Sequence, residues 1–309
     1  MIEGLKHIVT GGRDDICCEQ SRCLRVRFNE SSCNRCQTVC PTAAIALEQG
    51  LQIDSERCSG CLLCTSVCPA GALELTVDFL GCVAQLAKVS EPVLGCCRTK
   101  EQANGWVACL GGLSAEHLLY LSHRLNGTLT LNLAHCAECP NSSMLPLLQA
   151  RLDRLAPGGS CSINAVQTAD AVHHRDESVD RRSFFKSFRT SLFQTAAVVM
   201  TPGSQESQRR SDYTAKRVPD RRLLLLRVLE IVDQQKKEQL EERFFGRITC
   251  SEACTACQAC AAVCPTGALC KNREKSDSPP LFTAADCTAC GLCAEFCMDL
   301  ALQVCVSDA

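Results

Sequence analysis

Aromatic side chains are scarce in this sequence: 4% of 309 residues, with a single Trp. That is too few for the stacking platforms on which single-stranded nucleic acid is held. An excess of one charge is lacking too. Lys+Arg number 32 against 34 Asp+Glu, a formal net charge of -2, so no global field favours nucleic acid or an anionic membrane as partner. Apolar runs last only a few residues, far short of the ~18 needed to cross a bilayer, so no transmembrane segment is expected. The opening MIEGLKHIVTGG lacks the basic and apolar regions of a secretory signal. No G-x-G-x-x-G or G-x-x-x-x-G-K-[ST] stretch offers a dinucleotide or phosphate cradle. No Ser/His/Asp order or carboxylate pair stands in a supporting context, so no catalytic residue is assigned.

Cysteine is what the chain has in excess, with 28 residues. Disulfide-dense scaffolds are typically short and secreted. In a chain long enough for two or three domains, metal-bound thiolate in a reducing cytoplasm is the better reading. The cysteines are unevenly spread: ten in 1–80, seven in 81–170, none in 171–249 and eleven in 250–309. The cysteine-free stretch is basic, 16 Lys+Arg against 11 Asp+Glu.

The two ends repeat one pattern. Cys33-x2-Cys36-x3-Cys40-Pro41-Thr42 matches Cys257-x2-Cys260-x3-Cys264-Pro265-Thr266. Each is followed by a second run, Cys58-x2-Cys61-x2-Cys64-x3-Cys68-Pro69 and Cys287-x2-Cys290-x2-Cys293-x3-Cys297. The longer gap between runs in the second unit fits a loop through 271–280. Such duplication indicates one module used twice. In a C-x2-C-x2-C-x3-C-P run, three thiolates surround one cubane and the fourth serves its neighbour. Structural zinc would more commonly use two separated pairs.

On these motifs both ends resemble bacterial-type dicluster ferredoxins, over about 24–76 and 248–304. The resemblance implies [4Fe–4S] clusters at Cys254, Cys257, Cys260 and Cys297, at Cys287, Cys290, Cys293 and Cys264, and at Cys58, Cys61, Cys64 and Cys40. Met298 stands where the family has proline. The remaining N-terminal site has Cys33, Cys36 and Cys68, but Glu30 occupies the first ligand position. A [3Fe–4S] cluster, a carboxylate ligand, and replacement by Cys17, Cys18 or Cys23 are all open there. So is a lost site with packed cysteines.

The region 81–170 reads as a small α/β domain, with a strand over 127–133 and a helix over 114–125 started by Ser114. Cys96-Cys97, Cys109 and Cys136-x2-Cys139 fall at loop-like positions. From Ala108 to Cys139 the region resembles in outline the delta subunit of methyl-viologen-reducing hydrogenases. That resemblance implies a [2Fe–2S] centre at Cys97, Cys109, Cys136 and Cys139, with buried or redox-active thiols as the alternative. Cys250, Cys270 and Cys305 read as strand or core positions, and His135 as a loop residue beside Cys136.

The expected architecture is α+β: a dicluster ferredoxin-like domain over 1–80, the small α/β domain over 81–170, a basic helical connector over 171–247 and a second dicluster domain over 248–309. Leu24–Phe28 is expected as a strand, and Arg222–Phe245 as one long helix. The internal Arg181-Arg182 motif resembles a twin-arginine signal, but its position inside the chain favours an ordinary amphipathic helix. The function expected is electron transfer between redox-enzyme subunits, as in hydrogenase, formate dehydrogenase or heterodisulfide-reductase-like complexes of anaerobic metabolism. A thiol/disulfide reductase using the central cysteines is the alternative.

Overall fold

Two-stranded antiparallel ribbons frame each end of the molecule. The computed structural model describes residues 14–156, 162–174, 215–275 and 277–305. In the N-terminal part β1 (Ile16–Cys18) pairs with β4 (Leu73–Leu75), and β2 (Ile45–Ala46) with β3 (Gln52–Ile53). Between them lie the short helices α1 (Leu24–Arg27), α2 (Arg35–Thr38) and α3 (Leu63–Val67). The Leu24–Phe28 stretch is thus a helical turn rather than a strand. Phe28 N–H closes on the Leu24 carbonyl at 2.8 Å, and Cys23 occupies the N-cap position.

A central layer follows. After α4 (Phe79–Leu86) come β5 (Val93–Cys96), β6 (Gly105–Val107), α5 (Ala115–Arg124), β7 (Thr130–Asn132), α6 (Met144–Leu155) and β8 (Asn164–Val166). The four strands form one parallel sheet in the order β6-β5-β7-β8. The expected strand over 127–133 shrinks to three residues, because Asn126 and Gly127 take positive φ (49° and 72°) to turn the chain out of α5.

The expected long helix is broken in two, α7 (Asp220–Leu229) and α8 (Gln234–Phe244). Asp233 explains the break: its carboxylate accepts from Lys236 N–H at 2.9 Å and starts a new helix. Nor do these helices merely connect. Leu224, Leu225, Val228, Leu229 and Leu240 are buried in the same core as Leu94, Leu118 and Leu131 of the central layer. The Arg181-Arg182 motif and Cys161 lie outside the described residues.

The C-terminal part repeats the N-terminal pairing. β9 (Arg247–Cys250) runs antiparallel to β12 (Leu302–Cys305), and β10 (Leu269–Cys270) to β11 (Leu281–Phe282). Short helices α9 (Ala259–Val263) and α10 (Leu292–Glu295) lie between them. The whole is mixed helix and sheet, as the α+β expectation has it.

Helix α5 is capped by a reciprocal pair that gives one measurable handle on stability. Ser114 Oγ accepts from His117 N–H, and His117 Nδ1 accepts from Ser114 N–H at 3.3 Å. Burial pushes His117 down to about 4, with Arg221 and Arg151 adding to the shift. The unfolded chain therefore takes up this proton near 6.5 and the folded one near 4, so stability falls as pH drops through that window. His117→Gln keeps an N3 acceptor for the cap but binds no proton. Its thermal midpoint is expected to depend less on pH between 7 and 4.5 than that of the parent chain. Equal dependence would contradict the assignment.

Candidate iron–sulfur sites

Four sets of thiols come together at the two ends. The first is Cys40, Cys58, Cys61 and Cys64, in which Cys61 and Cys64 lie within electrostatic reach of the other members. The second is Cys23, Cys33, Cys36 and Cys68, which line one small cavity of about 20 Å³ with Leu24, Leu47, Leu51 and Leu73. The third is Cys264, Cys287, Cys290 and Cys293, which line a comparable cavity of about 20 Å³ with Ile248, Leu269 and Val304. The fourth is Cys254, Cys257, Cys260 and Cys297, in which Cys260 faces Cys257 and Cys297. Cys254 joins them through Cys250, which hydrogen-bonds Cys254 and lies within electrostatic reach of Cys260 and Cys297. Among the described residues no three His, Cys, Asp or Glu side chains stand close enough to share a single metal ion. A cubane's ligands each bond a different iron and need not converge so tightly.

The second set is where the sequence left alternatives open. Glu30 is exposed to solvent and does not line the cavity, whereas Cys23 is 9% exposed and does. Cys17 and Cys18 are exposed on β1. The two ends explain the difference when their strands are matched. Cys254 follows β9 by four positions and Cys23 follows β1 by five, so both occupy the same corner of the module. In the C-terminal module the next cysteine comes three positions on, at Cys257; in the N-terminal module it comes ten positions on, at Cys33. Seven extra residues, including α1, have entered the loop between these two positions.

Backbone geometry supports the sulfurs. In three of the runs the residues flanking the middle cysteine take left-handed conformations: Gly60 and Leu62 around Cys61, Ala256 and Gln258 around Cys257, Ala289 and Gly291 around Cys290. For a non-glycine residue this costs about 1–3 kcal/mol and is kept where the surroundings require it. Such turns aim successive N–H groups into one concavity. The N–H groups of Ala44, Ala72 and Ala289 reach Cys40, Cys68 and Cys287 at 3.2, 3.2 and 3.4 Å. Around Cys33 the pattern is absent, and Asn34 has φ -135°, as expected where the lengthened loop re-routes the chain.

Burial also sets the proton affinity. It pushes Cys36 up to about 12, with Cys68, Cys23 and Cys33 adding to it, and Cys293 up to about 12, with Cys290, Cys264 and Cys287 adding. Grouped thiols of this kind hold their protons until a cation compensates their charge, which bound iron does. The donor sets, the cavities and the N–H groups aimed at sulfur therefore fit iron–sulfur clusters.

Adjacent sets lie within electrostatic reach of one another. Cys64 of the first feels Cys36 of the second, and Cys293 of the third feels Cys260 of the fourth. The second and third meet through the inserted loop: Leu24, Ala70 and Leu292 are buried together, with Phe28, Cys33 and Cys290 packed against them. Phe28 stacks edge-on against Phe296, 5.1 Å between centroids, and Ser32 N–H donates to Glu295 at 3.2 Å. Arg222, from α7, donates to the carbonyl oxygens of Cys287 (2.6 Å) and Phe244 (3.1 Å) and ties the C-terminal module to the core.

In the central layer Cys96, Cys109 and Cys136 are buried and Cys139 half-buried, while Cys97 is exposed. The delta-subunit resemblance implies Cys97 with Cys109, Cys136 and Cys139; the buried thiol within electrostatic reach of Cys109 and Cys136 is Cys96, while Cys97 is within reach of Cys96 and Cys139. Cys82 sits apart, its thiol directed at the Trp106 carbonyl, and His135, Cys250, Cys270 and Cys305 are exposed. A separate cleft of about 500 Å³ is lined by Arg35, Arg151, Arg154, Arg221 and Arg243 with Glu116, and by no cysteine.

A family model described as "LdpA Fe-S cluster-binding domain" matches residues 30–78, and one described as "4Fe-4S binding domain" matches residues 251–267. The chain thus carries iron–sulfur binding domains at both ends. The first match begins after Cys23, and neither reaches residues 81–170, so the delta-subunit resemblance of that region has no support from them. No curated protein and no solved structure matches the chain. No helix among the described residues is long and apolar enough to cross a membrane.

Proposed function

We propose that this protein transfers electrons along a row of iron–sulfur clusters held by the four thiol sets. When bound, each cluster supplies one-electron chemistry with little movement of its ligands. The observation that carries the reading is the pair of small cavities, each lined by four cysteines that separate runs of the chain bring together. The protein's own share is to exclude water with Leu47, Leu51, Leu73 and Leu269, and to direct N–H groups at sulfur. Both act on reduction potential.

The contacts between successive sets support passage within one chain rather than four isolated centres. Donor and acceptor would be subunits of a redox enzyme. The hydrogenase, formate dehydrogenase and heterodisulfide-reductase kinds are the candidates by resemblance.

The test is anaerobic preparation of the full chain with assay of iron, acid-labile sulfide and zinc, followed by stepwise reduction under EPR. About sixteen irons are expected from the four sets, roughly four per cubane, with interacting signals at full reduction. Stoichiometric zinc with little iron, or colourless protein with paired thiols, would overturn the proposal.

A further inference from the structure

We infer that Cys96, Cys109, Cys136 and Cys139 form a fifth cluster site, at the carboxyl edge of the central parallel sheet and next to the first set. The site follows from topology. Cys96 is the last residue of β5, Cys109 lies two positions past β6, and Cys136 and Cys139 lie four and seven past β7. All three strands run parallel, so all four cysteines arrive at the same end of the sheet.

The order β6-β5-β7-β8 takes the chain outward from β5 to β6 and then back past β5 to β7. Between β5 and β7 the connections therefore leave in opposite directions. In open parallel sheets ligands bind in the crevice outside the carboxyl ends of the strands at such a reversal. Cys96 stands on one side of the reversal, and Cys136 and Cys139 on the other.

Polar groups are aimed at these sulfurs. The buried Thr99 hydroxyl donates to Cys96 Sγ at 3.7 Å, and the same oxygen accepts from Cys96 N–H at 2.9 Å. Asn141 Nδ2 points at Cys109 Sγ at 4.0 Å, and the Asn141 Oδ1 is buried without a partner. Arg98 reaches Cys139 Sγ at 3.8 Å. Four grouped thiols need no such donors to pack as small apolar side chains, whereas thiolates bonded to iron do. On loading, each thiol gives up its proton as its sulfur bonds iron. Cys97, the first residue of the turn after β5, is exposed although it lies within electrostatic reach of Cys139.

The site also adjoins the first set. Cys61, Cys96, Cys109 and Cys136 belong to one buried cluster. The turn after Cys109 is pressed so close to the ferredoxin-like part that a Cβ on Gly111 would collide with the carbonyl oxygen of Cys61. The fifth site therefore extends the row at its N-terminal end.

The experiment compares the full chain with Cys96→Ser and Cys97→Ser, each prepared anaerobically and assayed for iron, sulfide, Mössbauer spectrum and far-UV circular dichroism. Cys96→Ser is expected to lose two to four irons, as a [2Fe–2S] or [4Fe–4S] centre would. Its other Mössbauer components should stay unchanged, and Cys97→Ser should match the parent. Should Cys96→Ser not fold, Cys139→Ser, at the rim, is expected to give the same selective loss. Unchanged iron in Cys96→Ser, or in Cys139→Ser if that variant is needed, overturns the fifth site. So does loss in Cys97→Ser instead. A parent chain without iron in any set overturns the electron-transfer reading itself, which distinguishes the two failures.

Discussion

Cys23→Ser is expected to convert the second thiol set into one with three sulfurs, while Glu30→Gln leaves the iron content untouched. The reason is positional. Cys23 lines the cavity with Cys33, Cys36 and Cys68, and Glu30 lies in solvent. A site deprived of its fourth thiolate would keep about three irons or lose the cluster altogether. A drop of between one and four irons per chain, with a three-iron EPR signal in the oxidised protein in the milder case, is the expected readout. If instead Glu30→Gln lowered the iron and Cys23→Ser did not, the carboxylate would be the ligand and the lengthened loop a mere insertion.

The second large effect is expected on stability. Arg22 is 3% exposed, and its guanidinium meets Glu74 at 3.1 Å. Glu74 also pairs with Arg217 at 3.0 Å and accepts from Asp220 N–H at 2.8 Å. It thereby joins β4 to the start of α7. Glu74→Met preserves most of the volume but leaves the buried Arg22 without its counter-charge. Breaking a buried pair from one side costs about 3–5 kcal/mol. The urea midpoint of the full chain, followed by far-UV circular dichroism under anaerobic conditions, should fall accordingly. The exposed Asp220→Asn, in contrast, should cost under about 1 kcal/mol. A Glu74→Met variant as stable as its parent would show that the pair contributes nothing net.

Much of the candidate site was legible because ligand spacing in the two runs is local. A C-x2-C-x2-C-x3-C segment brings its own cysteines together whatever surrounds it, and the duplication identified the module twice over. Cys23 was harder to place. Spacing put the missing ligand three positions before Cys33, and no local pattern reveals that seven residues have entered that interval. Cys96 and Cys97 were indistinguishable for another reason. Cys96 ends β5, whose four residues are all buried, and Cys97 begins the turn that follows. A strand buried throughout has no alternation to mark where it stops.

The fold was legible where periodicity was strong. The Ser114-capped α5 lies where the sequence put it, and the helical content after Pro219 was correctly foreseen. What that reading missed was tertiary. Nothing in a run such as Leu223–Leu226 says that it closes the core of a sheet whose last strand ends at Val166. The cap at Asp233 that splits the helix was missed, because a single polar residue inside an amphipathic pattern reads as one more exposed position.

The detour between Cys23 and Cys33 begins at a sulfur of one half and carries, at Leu24 and Phe28, the surface that grips the other half. Filling the cavity at its first residue thus organises the very segment on which the partner half rests, and thermodynamic reciprocity makes the benefit mutual. Maturation of the two halves is consequently expected to be cooperative, given the four clusters proposed above. Partially metallated intermediates should be sparse during reconstitution, with chains tending to be either fully assembled or empty.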